Sequence, residues 1–428
     1  MNRFLATLWL LFAFVRAADA SEVVPGVEVL AEEHAGELAG KRVGILTNPT
    51  GVGRDGITST IDIVRGLPGA NVVRLFAPEH GVRGGFQAGE NVDVQTKDPI
   101  SGLPVVSLHG AARRPAPGAL DGLDVVLYDI QDVGVRHYTF ISTLACLMEA
   151  CEAAGVELWV LDRPDPLGGD KVGGPVLDEG LRSFIGVHTI PLTYGLTPGE
   201  FARLYRRERT PRLKLTVIPM RGWRRGMMYG DLGWPWIPPS EHIPRWETCV
   251  FYAMTGELGE LRLVSEGVGT PLPFEQVGAP WIDSVRLAGE LNALGLKGVT
   301  FRPTVFRPRY GTFAGEFCNG VQIHLADARQ CDPALVGDAV MATLARLYPE
   351  HNLFAKRDGE TWRMFRQAVG DDAVIQALAE GNLEKVRELT DSGRRDYLAR
   401  RKEALIYNHR PNHRKRMSLL PWRWFSRS

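Results

Sequence analysis

The chain has 428 residues, enough for more than one folded unit, and its 50 Lys plus Arg balance 50 Asp plus Glu. That balance excludes the basic surface of a nucleic-acid binder, and five cysteines in a chain this long exclude a disulfide scaffold. Cys146 and Cys151 stand five apart on one predicted helix, out of phase with its turn, and read as buried small apolar side chains. No Cys/His cluster has zinc spacing, so no metal is expected.

Arg3 precedes an apolar run, Leu5 to Val15, too short to span a bilayer comfortably, and Ala18-Asp19-Ala20 fits the small-x-small cleavage pattern. Residues 1–20 therefore read as a signal peptide cut before Ser21, with an uncleaved anchor as the alternative, and the mature protein as exported to a periplasm or the cell exterior. Arg42 to Thr47 reads as a strand ending at the turn Asn48-Pro49-Thr50-Gly51, and Ile57 to Leu67 as a helix capped by Thr58 or a neighbour. Val72 to Phe76 is a buried strand, Val105 to Leu108 a short one, and Val125 to Asp129 a third. Thr139 to Ala154 is an amphipathic helix closed by Gly155, and Glu157 to Asp162 another strand. Strands alternating with helices argue for a parallel, doubly wound α/β sheet, a Rossmann-like domain over residues 21–215. Its first strand–helix turn lacks Gly-x-Gly-x-x-Gly; Gly51-Val52-Gly53 does not make a nucleotide site.

Three strands end in polar clusters. One delivers Glu79 and His80 in Pro78-Glu79-His80-Gly81. One delivers Asp129, Gln131 and Asp132, followed by Arg136, His137 and Tyr138. One delivers Asp162 and Arg163. Strand ends of one parallel sheet rim one crevice, so these groups are expected to converge there. A lone Asp in such a place is often only a helix cap.

Further on, Thr197-Pro198-Gly199-Glu200 is a helix start with a capping box, which makes Glu200 structural. The Trp-, Gly- and Pro-rich stretch from Trp223 to Trp246 suits stacking on sugar faces, or packing between domains. Glu266, in Ser265-Glu266-Gly267, reads as a carboxylate on a tight loop. Helices at Asp283 to Leu294, Pro333 to Tyr348, Trp362 to Ala379 and Leu383 to Tyr407, with strands near Thr300 and Gly320 to His324, make residues 216–408 a smaller α+β domain. Residues 409–428 form a basic, aromatic tail that reads as frayed and solvated and could touch an anionic membrane surface weakly.

These signatures together resemble the exo-β-N-acetylmuramidase (NamZ-like) glycoside hydrolase family, formerly a domain of unknown function. The resemblance runs from about Gly26 to Tyr407 and rests on Gly44 to Gly51, Pro78 to Gly81, Tyr128 to Thr139, Asp162-Arg163-Pro164, Val264 to Gly267, Gly278 to Trp281 and the closing Tyr397 to Tyr407 segment. It implies a Rossmann-like domain and a smaller one with an active-site cleft between them. It also implies release of N-acetylmuramic acid from the non-reducing end of peptidoglycan fragments, without metal or nucleotide cofactor. The family's catalytic glutamate matches Glu79, which is expected to act as general acid with a raised pKa. His80 either orients Glu79, binds a hydroxyl, or is structural. The second role falls to Glu266, Asp129 or Asp132, or to the sugar's own 2-acetamido group positioned by Asp132 or Tyr138. Arg136 and Arg163 are candidates for the sugar's carboxylate, with an ion pair to Asp129 or Asp162 as the alternative. Asn48, Gln131, Asp162 and His242 complete the expected substrate contacts. Where the family usually carries Arg the chain has Val268, and Glu241-His242 replaces a usual Pro-Asn, so the sugar preference could shift. The competing class is a non-catalytic glycan-binding protein on the same fold.

Overall fold

The computed structural model describes residues 22–408, apart from 88, 93–95, 111–112, 352 and 356–358. The expected signal segment and the basic tail lie outside the described residues. In chain order the first part holds α1 (Gly26–Glu33), β1 (Arg42–Thr47), α2 (Thr60–Arg65), β2 (Asn71–Ala77), β3 (Val105–Ser107), β4 (Val125–Asp129), α3 (Phe140–Ala154), β5 (Glu157–Leu161), β6 (Val172–Gly173), β7 (Thr193–Tyr194), α4 (Pro198–Glu208) and β8 (Leu215–Ile218). Six of these strands form one sheet in the order β3-β2-β1-β4-β5-β8, every neighbouring pair parallel, while β6 and β7 make a small antiparallel pair. The order reverses between β1 and β4, as in a doubly wound fold.

Period-two alternation sends the strand side chains to two cores. Val43, Ile45, Leu127, Trp159 and Leu161 pack with Leu30 of α1 and Ile61 and Val64 of α2. Leu46, Phe76, Val126, Tyr128, Leu158 and Val160 pack on the opposite face with Phe140 and Leu144 of α3 and Phe201 of α4. Both faces are covered, which is why the strands read as near-continuous apolar runs.

The second part adds α5 (Glu247–Gly259), β9 (Gln276–Ala279), α6 (Ser284–Ala293), β10 (Val299–Phe306), β11 (Cys318–Leu325), α7 (Pro333–Leu347), α8 (Glu360–Val369), α9 (Asp372–Ala379) and α10 (Leu383–Arg401). Its three strands form an antiparallel sheet in the order β10-β11-β9. The α3 face of the large sheet and the apolar faces of α5, α7 and the small sheet belong to one continuous core. Close helix crossing is set by Gly337 of α7, where a Cβ would stand 2.4 Å from the Met254 carbonyl of α5. The predicted helix from Trp362 to Ala379 is interrupted at Gly370, which takes φ 80° and ends α8. All five cysteines are buried and unbridged. Among the described residues no helix is long and apolar enough to cross a membrane.

Candidate active site

β2 becomes buried from Leu75 onward, and Pro78 turns the chain out of the sheet into Glu79, His80 and Gly81. His80 takes φ 68°, a left-handed conformation that costs energy for a residue with a Cβ and tends to occur where function demands it. Its Nδ1 lies 2.9 Å from the Phe86 carbonyl, so Nδ1 carries the proton and donates it. Glu79 is thereby presented at the mouth of a cleft of about 300 Å³, whose walls include His80, His109, Tyr138, Thr139 and Tyr252.

Three separate elements hold the Glu79 carboxylate. Its Oε1 accepts the Gly89 N–H at 2.9 Å, and its Oε2 accepts the hydroxyl of Thr139, just before α3, at 2.6 Å. His109, two residues beyond β3, brings Nε2 to 3.6 Å from Oε1. Burial alone pushes this carboxyl up, but His109, the Thr139 hydroxyl, the Gly89 N–H and His80 outweigh it and hold it below its ordinary value. The direction is opposite to the one expected from the sequence, because the cleft supplies donors and a facing imidazole rather than an apolar wall.

The far wall is aromatic. Tyr252 of α5 meets the edge of Tyr138 at 5.5 Å and of Phe274 at 4.9 Å between ring centroids. Past His242, Tyr252, Glu260 and Phe274 the cleft continues into a groove of about 600 Å³ that reaches Glu266 and Val268. His242 Nε2 is 3.1 Å from the Tyr310 hydroxyl at this junction. Burial raises the Glu266 carboxyl to about 7, with Glu260 contributing, and Glu260 is itself raised by burial.

Of the residues expected from the sequence, Glu79, His80, Tyr138 and His242 share the cleft, and Glu266 lines its continuation. The others do not line it. Asp129 is fully buried, accepting the Thr60 hydroxyl and two guanidinium N–H groups of Arg163. Arg163 also donates to the Val52 carbonyl at 2.7 Å, so its charge is spent inside the fold. Arg136, with no exposed surface, donates to the carbonyls of Pro175, Ile190, Ala368 and Val369 and ties α8 to the large sheet's loops. Asp132 accepts the Tyr194 hydroxyl and the Gly134 N–H, and burial raises it to about 6. Asp162 accepts the Gly199 N–H and the hydroxyls of Thr197 and Tyr407, a cap and an anchor for the end of the chain; burial raises it to about 7. Asn48 Oδ1 accepts the backbone N–H and hydroxyl of Thr50, and Gln131 Nε2 donates to the carbonyls of Asp132 and Pro164.

The expected convergence of three strand ends fails for a steric reason. At the β1–β4 reversal, Tyr229, Trp234, Pro235 and Ile237 close over Gln131 and Arg163 and leave about 10 Å³, room for no more than one water. The crevice that holds nucleotides in other doubly wound folds is filled by this chain's own aromatic loop. The open cleft sits at the ends of β2 and β3 instead. His109, Thr139, Tyr252 and Glu260 were not nominated by the sequence. His109 follows a strand as Glu79 does, so the same strand-end reasoning finds it; Tyr252 lies on α5, and Glu260 just past its end, and that helix carries no polar face to single them out.

Two family models cover nearly the whole chain: the N-terminal model of exo-β-N-acetylmuramidase NamZ matches residues 43–247, and the C-terminal model matches residues 250–407. The peptidoglycan β-N-acetylmuramidase NamZ of Bacillus subtilis (strain 168) is 37% identical over 410 residues, spanning 93% of this chain and 97% of its own length. Two crystal structures of DUF1343 family proteins from Bacteroides fragilis share the fold. One has a TM-score of 0.84 at 40% identity and the other 0.73 at 28%, each covering 91% of this chain and 100% of its own.

Proposed function

The chain belongs to the exo-β-N-acetylmuramidase NamZ family, and from that membership we propose that it releases N-acetylmuramic acid, or a related amino sugar, from the non-reducing end of peptidoglycan fragments, with Glu79 protonating the leaving oxygen. It is a glycosidase by family. The observation that carries the assignment of Glu79 is its pairing with His109 inside a sugar-sized cleft, 3.6 Å apart, with Thr139 fixing the second carboxylate oxygen.

Glycoside cleavage needs a proton on the departing oxygen and relief of positive charge at the anomeric carbon. In the free enzyme Glu79 is held as a carboxylate, and in the proposed cycle its proton comes from the facing His109 imidazolium. A sugar filling the cleft expels water. Burial, already the largest single influence on Glu79, then grows, and the proton passes to the carboxyl that faces the glycosidic oxygen. On this proposal the active form carries one proton between Glu79 and the His109 imidazole. Burial raises Glu266 to about 7 and Glu260 in the same direction, and Glu266 lines the groove beyond the cleft rather than the cleft itself, which argues against either as the nucleophile. That favours attack by the sugar's own 2-acetamido group, with Tyr138 in the same cleft as the group that positions it. Progressive fluorination of the N-acetyl group is expected to slow turnover steeply; a flat response removes the acetamido step.

The exo-muramidase reading is tested with the two isomeric disaccharides of N-acetylglucosamine and N-acetylmuramic acid. Mass spectrometry is expected to find free muramic acid only when that sugar is at the non-reducing end. No release from either, with both bound, favours the glycan-binding alternative. We also place the enzyme outside the cytoplasm, and N-terminal sequencing of the secreted form is expected to begin at Ser21.

A further inference from the structure

The acidic substituent of a muramic acid needs a cation, and neither arginine nominated by the sequence is free to supply it. Arg136 is fully buried on four backbone carbonyls, and Arg163 is buried against Asp129. In the groove beyond the cleft, Arg262 stands among carboxylates, with Glu260 and Glu266 both feeling its charge. In a neighbouring pocket the balance is reversed. This pocket, of about 330 Å³, shares Arg113 and Phe184 with the catalytic cleft and is lined by Arg113, Arg114 and Arg182 against one carboxylate, Glu149.

The three arginines differ in how they are held. Arg182 is fixed by Glu179 at 2.8 Å and by the Val187 carbonyl at 2.9 Å. Arg114 reaches Glu149 only at 3.8 Å, and Glu149 already accepts the Tyr205 hydroxyl at 2.7 Å. Arg113 forms no ion pair within 4.0 Å among the described residues; its guanidinium lies over the Phe184 ring, 4.9 Å from the centroid. Stacking of that kind holds the planar fork in place and leaves its N–H edge for a carboxylate. Glu360 is near enough to feel Arg113 but is itself paired with Arg363 at 2.5 Å.

We propose that this arginine-lined pocket is the subsite for the carboxylate-bearing substituent on the terminal sugar's 3-oxygen, with Arg113 at its entrance as the residue that distinguishes a muramic acid from an N-acetylglucosamine. The inference rests on the N-acetylmuramidase reading. The shared chemistry is a carboxylate on an ether-linked arm, and it has two sources: the lactyl carboxylate itself, or the carboxylates of a short peptide attached to it. A pocket of this size exceeds what one lactyl group fills and falls in the range, roughly 300–1,000 Å³, of pockets that take whole ligands.

The test is calorimetric binding to full-length Glu79→Gln protein, which separates recognition from turnover. The ligands are the methyl β-glycosides of N-acetylglucosamine, of N-acetylmuramic acid, and of N-acetylmuramic acid carrying an acidic dipeptide. The muramide is expected to bind more tightly than the glucosaminide, and Arg113→Ala is expected to weaken the muramide by about 10- to 100-fold while narrowing the gap to the glucosaminide. Arg113→Lys, which keeps the charge and loses the fork, should fall between. If the peptide-bearing ligand binds tightest and loses most on combined Arg114→Ala and Arg182→Ala substitution, the peptide is the source. If it loses nothing there, the lactyl carboxylate is. An unchanged muramide-to-glucosaminide ratio in Arg113→Ala overturns the subsite. Absence of muramic acid release by the unmodified enzyme overturns the N-acetylmuramidase reading instead, and the binding ratio still reads the pocket.

Discussion

At the residue scale, what a polar side chain can do is set by how many of its hydrogen-bonding positions the fold has already used. Asp129, Asp162 and Glu79 all follow strands of one sheet, and the sequence treats them alike. The first two are occupied by Arg163 and by the Gly199–Tyr407 cap, while Glu79 keeps a face on the cleft. Composition cannot distinguish an occupied carboxylate from an available one, because the partners arrive from as far along the chain as Tyr407. If His109 holds the shared proton, His109→Asn should move the alkaline limb of the kcat/KM–pH profile to lower pH by about one unit or more, since Glu79 alone retains its proton only in acid. A profile with the same alkaline limb contradicts the pairing. A second residue tests burial. Glu257, opposite Arg136 in the core, is raised by burial from 4.5 to about 7, which corresponds to about 3 kcal/mol at about 1.4 kcal/mol per unit. Its folded value lies above the unfolded one, so its contribution to stability is full below pH 4.5 and is lost as pH rises through about 7. The loss of melting temperature between pH 5.5 and 8 should therefore be smaller in Glu257→Gln than in the parent, and an equal loss would show that the carboxyl is already ionised.

At the scale of elements, the sequence reads best where a local rule decides. The capping box at Thr197 and Glu200, the Gly155 stop after α3, and the Pro333 start of α7 all occur as the residues imply. It reads worst at α5, where residues Thr248 to Leu258, bar the half-buried Tyr252, are buried on every side, so no 3.6-residue alternation marks the helix. The same helix supplies Tyr252 to the cleft, with Glu260 at its end, so the missed element and the missed site residues have one cause. The chain's closing segment is an element in its own right. Tyr407 donates to Asp162 at 2.6 Å and accepts the Met220 N–H at 2.8 Å, and Tyr397 donates to the Tyr194 carbonyl at 2.6 Å. Tyr407→Phe removes both bonds of its hydroxyl and leaves Asp162 and Met220 each short of a partner in a buried place. A loss of about 1–3 kcal/mol in urea unfolding is expected; no change in the midpoint would mean the strap does not hold the sheet.

At the scale of the whole molecule, the parallel, doubly wound sheet follows from strand–helix alternation and from apolar runs buried on both faces, and that much was legible; the order of its strands was not read from the sequence. Nor was the placement of the cleft. A doubly wound sheet draws attention to its reversal point, yet here Tyr229, Trp234 and Pro235 fill that point and the opening moves to β2 and β3. The Trp-rich stretch allowed either a sugar-stacking surface or a packed loop, and Tyr229 and Trp234 over the reversal point follow the second reading. The core is shared between the two halves of the chain, from Phe140 of α3 through Met254 of α5 to Val340 of α7. One cooperative calorimetric transition is expected, and two resolved transitions would mean that the halves fold as separate units.

The most direct measurement of the central claim compares Glu79→Gln with the parent enzyme on two substrates that differ only in their need for a proton. One is the natural muramic acid disaccharide, and the other is a dinitrophenyl N-acetylmuramide, whose leaving group departs without protonation. A general acid predicts a loss of about 100- to 10,000-fold on the disaccharide and a far smaller one on the dinitrophenyl glycoside. Disaccharide turnover close to that of the parent would contradict the role given to Glu79.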